Sequence, residues 1–171
     1  MKTTAALSAL CILLTALTVF QFCVKPPDYP IEPVIEFKSL SKTQMWQLTA
    51  PQPEDFVTVT FTYTDGDGDL GAKENPEESG VFYLDQRDLN SLTPYRLPFV
   101  EPQGTGNGIS GEITVRLPRT CCIQKRPNGS TLTCNDVLVP RDTVSYIVYI
   151  RDRAGHESNR IVTPPITLLC Y

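Results

Sequence analysis

An alternation of apolar and threonine residues runs from Val57 to Thr64 and ends in Asp65-Gly66-Asp67-Gly68-Asp69-Leu70-Gly71. Val57, Val59, Phe61 and Tyr63 share one side, and Thr58, Thr60, Thr62 and Thr64 share the other. A period of two over this length is the signature of a half-buried β-strand. The strand therefore feeds three carboxylates, at alternate positions, into one glycine-rich turn. Glycine lets a backbone wrap tightly enough for several oxygens to converge, and like charges so placed repel unless a cation lies between them.

Other segments point to the same fold class. Ile109–Leu117 repeats the alternation, with Ile113, Val115 and Leu117 inward and Glu112, Thr114 and Arg116 outward. Val144–Ile150 is apolar on both faces, as a central strand is. Shorter strands are expected over 34–40, 81–84 and 161–169, the last confined to an edge or a bulge by Pro164-Pro165. Fifteen prolines and few helix-forming stretches complete an all-β reading. The expectation is an immunoglobulin-like antiparallel β-sandwich of about seven strands over residues 34–171, after an N-terminal signal segment. Asp142-Thr143-Val144-Ser145-Tyr146-Ile147-Val148 resembles the tyrosine corner that opens strand F of immunoglobulin-like domains. Val144 and Val148 stand where that pattern has alanine and cysteine, so the usual inter-sheet disulfide is not expected.

With Tyr146 opening strand F, the turn Arg151-Asp152-Arg153-Ala154-Gly155-His156-Glu157-Ser158-Asn159 becomes the F–G loop, and residues 65–71 the start of the B–C loop. Those two loops share one end of such a sandwich. Asp65, Asp67, Asp69 and Asp152 are therefore the expected ligands of one calcium ion, with Glu157, Asn159 and Glu74 in reserve. A helix–loop–helix calcium hand is excluded, because one starting at Asp65 needs glycine at Leu70 and glutamate at Pro76. The competing reading is that the Asp-Gly pairs only make tight turns.

The N-terminus reads as an export signal. Met1-Lys2 precedes a run from Thr3 to Phe22 without a charge, and Cys23 closes it where a bacterial lipoprotein carries its lipid. Residues 1–22 form a signal peptide or membrane anchor, and 23–33, dense in proline, an extended spacer. Cleavage after Thr18 and an uncleaved anchor are the alternatives. Cys121, Cys122, Cys134 and Cys170 then remain for the folded part, an even number that favours two disulfides in an oxidising compartment. Pro127-Asn128-Gly129 suits a three-residue hairpin loop that pairs Arg126 with Ser130. Carried along the ladder, that register joins Cys122 to Cys134 and leaves Cys121 for Cys170.

The pairing of Thr64–Gly71 with Tyr149-Ile150-Arg151-Asp152-Arg153-Ala154-Gly155-His156-Glu157-Ser158-Asn159 resembles a group of Bacteroidota-type surface lipoproteins, uncharacterised in function. Tyr29–Pro33 and Leu40-Ser41-Lys42 are similar too. The resemblance implies export, a lipid anchor and an immunoglobulin-like domain, and no activity. The residues offer no enzyme chemistry either: the lone His156 sits in a polar loop, and no nucleophile elbow or paired-histidine metal motif occurs. With 19 acidic against 15 basic residues there is no basic footprint for nucleic acid. The expected protein is a cell-envelope lipoprotein at the outer membrane or cell surface, on its outer or periplasmic face. Its calcium-stabilised loops would present a recognition surface to a protein or glycan. The alternative is a structural or assembly component of an envelope complex, with no calcium site.

Overall fold

The computed structural model describes residues 28–50, 55–75, 78–101, 108–132 and 134–171. The signal segment 1–22, Cys23 and the spacer up to Pro27 lie outside the described residues.

The chain is all-β, with no helix among the described residues and ten strands rather than about seven. They are β1 (Val34–Leu40), β2 (Gln44–Trp46), β3 (Thr58–Asp65), β4 (Gly80–Asp85), β5 (Asp88–Arg96), β6 (Ile109–Arg116), β7 (Arg141–Val144), β8 (Tyr146–Arg151), β9 (Ile161–Val162) and β10 (Ile166–Leu169). Three open sheets result, ordered β1-β3-β6, β2-β10-β7 and β5-β4-β8-β9. All pairs are antiparallel except β2 with β10.

The surplus over seven has local causes. The run 144–150 breaks at Ser145, so that β7 and β8 enter different sheets, and 161–169 breaks at Thr163–Pro165 with the same result. The two breaks are joined: Thr163 Oγ1 accepts the Tyr146 N–H at 3.0 Å, and the Thr163 N–H donates to the Tyr146 carbonyl at 2.9 Å. Pro164 and Pro165 carry no N–H to continue a ladder. β2 is too short, and β5 too polar, to show a period. β5 pairs only with β4 and is the outer strand of its sheet.

Strands of all three sheets contribute to one core. Ile35, Val59, Phe61, Val81, Tyr83, Val115, Val148, Ile150, Ile166 and Leu168 are each at most 3 % exposed. On β3 the inward parity set by Val57, Val59 and Phe61 continues through Tyr63 to Asp65, which is why that carboxylate is 0 % exposed.

Tyr146 departs from the corner expected of it. Its hydroxyl donates to the Pro118 carbonyl at 2.5 Å, not to backbone just upstream of its own strand. Asp142 instead accepts from the Arg87 guanidinium at 2.5 Å and from the Ile123 N–H at 2.8 Å. Arg87 also forks onto Asp85, and against the opposing effect of burial these partners hold the buried Asp85 carboxyl below its usual range.

The disulfides are Cys121–Cys134 and Cys122–Cys170, with Cα separations of 5.1 and 5.9 Å, the reverse of the pairing expected from the hairpin register. The hairpin itself has that register: the Arg126 N–H bonds the Ser130 carbonyl, Lys125 bridges Thr131, and the Leu132 N–H bonds Gln124. The ladder stops there because side chains capture the next amides. Asp142 takes the Ile123 N–H, and Gln47 Oε1 takes the Cys122 N–H at 3.2 Å. Released from the ladder, Cys122 turns into the core beside Cys170, and Cys121 faces Cys134.

Candidate metal centre

β3 and β8 belong to different sheets, yet the acidic residues at their ends meet. The loop after β3 carries Asp67 and Asp69, the segment after β8 begins with Asp152, and Asp65 closes β3. One carboxylate oxygen from each of Asp65, Asp67, Asp69 and Asp152 lies within 4.8 Å of all the others. Asp65 and Asp152 are fully buried, Asp69 is half-buried, and Asp67 is the most exposed of the four. The four residues expected to meet across 87 positions of sequence are thus brought into one cluster.

Hydrogen bonds account for part of this acidity. Asp65 Oδ2 accepts the Asp69 N–H at 3.0 Å, closing the turn. Asp152 Oδ1 accepts the His156 N–H at 2.8 Å, and its Oδ2 lies 2.8 Å from His156 Nδ1. The Arg153 N–H reaches the Asp69 carbonyl at 3.3 Å and so ties the two loops. The Arg153 guanidinium is occupied by the carbonyls of Leu70, Gly71 and Val100.

Two oxygens are left over. Asp65 Oδ1 and Asp69 Oδ1 are buried and have no hydrogen-bond partner. A buried carboxylate oxygen without a donor is costly, and its natural remedies are a proton or a cation. The ion-free electrostatics point the same way. Burial, followed by the Asp67 and Asp69 charges, pushes Asp65 up from 3.8 to about 7. Asp69 is raised by burial and then by Asp152 and Asp67, with Arg153 opposing. The Asp152 hydrogen bond and charge raise His156. The donor set, all carboxylate oxygen and partly desolvated, fits a hard divalent cation.

The reserve ligands do not join. Glu157 pairs with Arg151 at 2.6 Å and with Arg160 at 3.6 Å. Asn159 holds Ile35 through both its amide atoms, and Glu74 is exposed. His156 is the residue that sequence reasoning missed. Its spacing of four from Asp152, across Gly155, was the available sign of a turn that folds the imidazole back onto the carboxylate. A groove of about 540 Å³ runs along Tyr95–Pro98 and Glu112–Val115, and none of the four clustered aspartates lines it.

Compared with protein-family models, curated proteins and solved structures, the chain matches none. Two cysteine pairs at bonding distance are typical of proteins from oxidising compartments.

Proposed function

We propose that the chain is an exported, calcium-stabilised immunoglobulin-like domain, tethered to the cell envelope through Cys23 and acting as a non-catalytic surface recognition module. The observation that carries this reading is Asp65, a fully buried carboxylate that has one unpartnered oxygen and stands among three other carboxylates. Calcium is the ion proposed because four carboxylates from two loops offer oxygen ligands alone, without the near-ideal octahedron that magnesium demands.

The immunoglobulin-like assignment is supported by the order β5-β4-β8-β9, which parallels C′-C-F-G, and by β1-β3-β6, which parallels A-B-E. Export is supported by the two disulfides and by the apolar run ahead of Cys23. Thermal melts of the wild type and of Asp152→Asn, each with calcium and with chelator, test the reading. Calcium should raise the wild-type midpoint and leave that of the variant in place. A wild-type melt that ignores both additions overturns it.

A second reading, an assembly component of an envelope complex, is favoured by one observation. The outer edge of β5 is unpaired in its sheet and exposes Leu89, Leu92 and Tyr95 at 59, 46 and 42 %. Co-purification of a specific envelope partner, lost on Leu92→Glu, would support that reading.

A further inference from the structure

The described chain enters the domain at its acidic end, and both loops of the cluster hold it there. From the loop after β3, the Gly66 N–H donates to the Pro30 carbonyl at 2.8 Å. A Cβ at Gly66 would come within 2.5 Å of the carbonyl oxygens of both Tyr29 and Pro30, so the lead-in lies directly on the backbone between Asp65 and Asp67. The Tyr29 ring covers Gly108, where a Cβ would stand 2.8 Å from Cδ2 and 3.0 Å from the Asp65 carbonyl. From the loop after β8, Asn159 Oδ1 accepts the Ile35 N–H at 2.8 Å, and its Nδ2 donates to the Ile35 carbonyl at 2.9 Å. Two loops remote in sequence therefore supply the carboxylates and also clamp residues 29–35.

We propose that the cation site and the N-terminal lead-in are coupled, so that a cation held by Asp65, Asp67, Asp69 and Asp152 locks residues 29–35 onto the domain. This rests on the calcium reading above. Without the ion, the carboxylates repel and press the two loops apart, which strains the Gly66–Pro30 and Asn159–Ile35 ties together. With it, the loops are drawn to one centre and both ties close. Linkage makes the effect reciprocal: the docked lead-in tightens cation binding by the same factor that the cation tightens docking. The consequence is mechanical. Four residues lie between Cys23 and Asp28, five Cα steps with a reach of at most about 18 Å. In a protein tethered at Cys23, cation occupancy would set how stiffly the domain stands on its tether.

Calcium titration calorimetry on the full-length chain in detergent, with amide hydrogen exchange at Gly66, tests the coupling. In the wild type, calcium should bind and slow Gly66 exchange. Tyr29→Ala, which removes the ring from Gly108 and touches no carboxylate, should weaken calcium binding about fivefold. It should also abolish the calcium effect on Gly66, and Tyr29→Phe should restore both. Asn159→Ala should weaken binding independently through the other loop. Absence of calcium binding by the wild type overturns the site, and the coupling falls with it. Wild-type binding with unchanged affinity in both Tyr29→Ala and Asn159→Ala overturns the coupling alone.

Discussion

Replacing Asp65 by asparagine should raise stability in chelator and remove most of what calcium adds. In the ion-free protein the Asp65 acid is pushed from 3.8 to about 7. A folded-state value above the unfolded one means that folding disfavours the charged form. Between pH 4 and 7 the native state holds the extra proton, so stability falls as pH rises through that window and the full cost is present above it. At ~1.4 kcal/mol per pH unit, the cost at pH 8 is about 4 kcal/mol as a ceiling. Asparagine removes the charge and keeps an acceptor for the Asp69 N–H, now 3.0 Å from Oδ2. In chelator at pH 8 the variant should therefore be more stable than the wild type, by roughly 1–4 kcal/mol, or some 3–12 °C in melting midpoint. In calcium at a hundredfold its dissociation constant the wild type should gain about 2.7 kcal/mol and the variant little of it. Denaturant or thermal melts of both proteins in the two buffers measure both effects. If Asp65→Asn is destabilised in chelator at pH 8, the carboxylate is a structural acceptor and the reasoning fails.

The wild type in chelator should melt lower at pH 8 than at pH 5, since the raised Asp65, Asp69 and His156 all hold protons more tightly when folded. Calcium should flatten or reverse that slope, and a pH series of melts reads it directly. Non-reducing peptide mapping should join Cys121 to Cys134 and Cys122 to Cys170. Loss of the latter, which closes the longer loop, should cost about 4 kcal/mol against about 3 for the former, measured with serine pairs in urea. Tyr146→Phe should cost about 1 kcal/mol by stranding the Pro118 carbonyl. Arg87→Met, which leaves the Asp85 carboxylate without its fork, should cost about 3 kcal/mol in the same assay.

What was legible in the sequence was what a period can carry. The alternation of residues 57–64 specified β3, its inward face and, by the same parity, the burial of Asp65. The end of β8 was legible from the polar turn that follows an apolar run, Arg151 to Asn159 after Val144–Ile150. The pairing of the cysteines was not, although the Arg126–Ser130 register that suggested it is present. That ladder is cut short by Gln47 and Asp142, residues 75 and 19 positions away from the amides they capture. A local repeat predicts a strand until a distant side chain offers its N–H groups a better acceptor. The same holds for the breaks at Ser145 and Thr163, where one threonine satisfies both backbone groups of Tyr146 and divides two runs at once.

The acidic end follows from these two kinds of information meeting. Parity alone would be satisfied by valine at position 65, packed like Val59 and Phe61 beneath it. Aspartate there leaves a buried oxygen unpaired and sets three neighbouring charges against it. The fold offers no donor for that oxygen, because the nearby guanidinium of Arg153 is held by three carbonyls and His156 is turned to Asp152. A proton can relieve the conflict in acid, and only a cation relieves it at pH 8. On the calcium reading, the end of the domain that carries this conflict is the end an ion would steady, and it is also where the described chain enters.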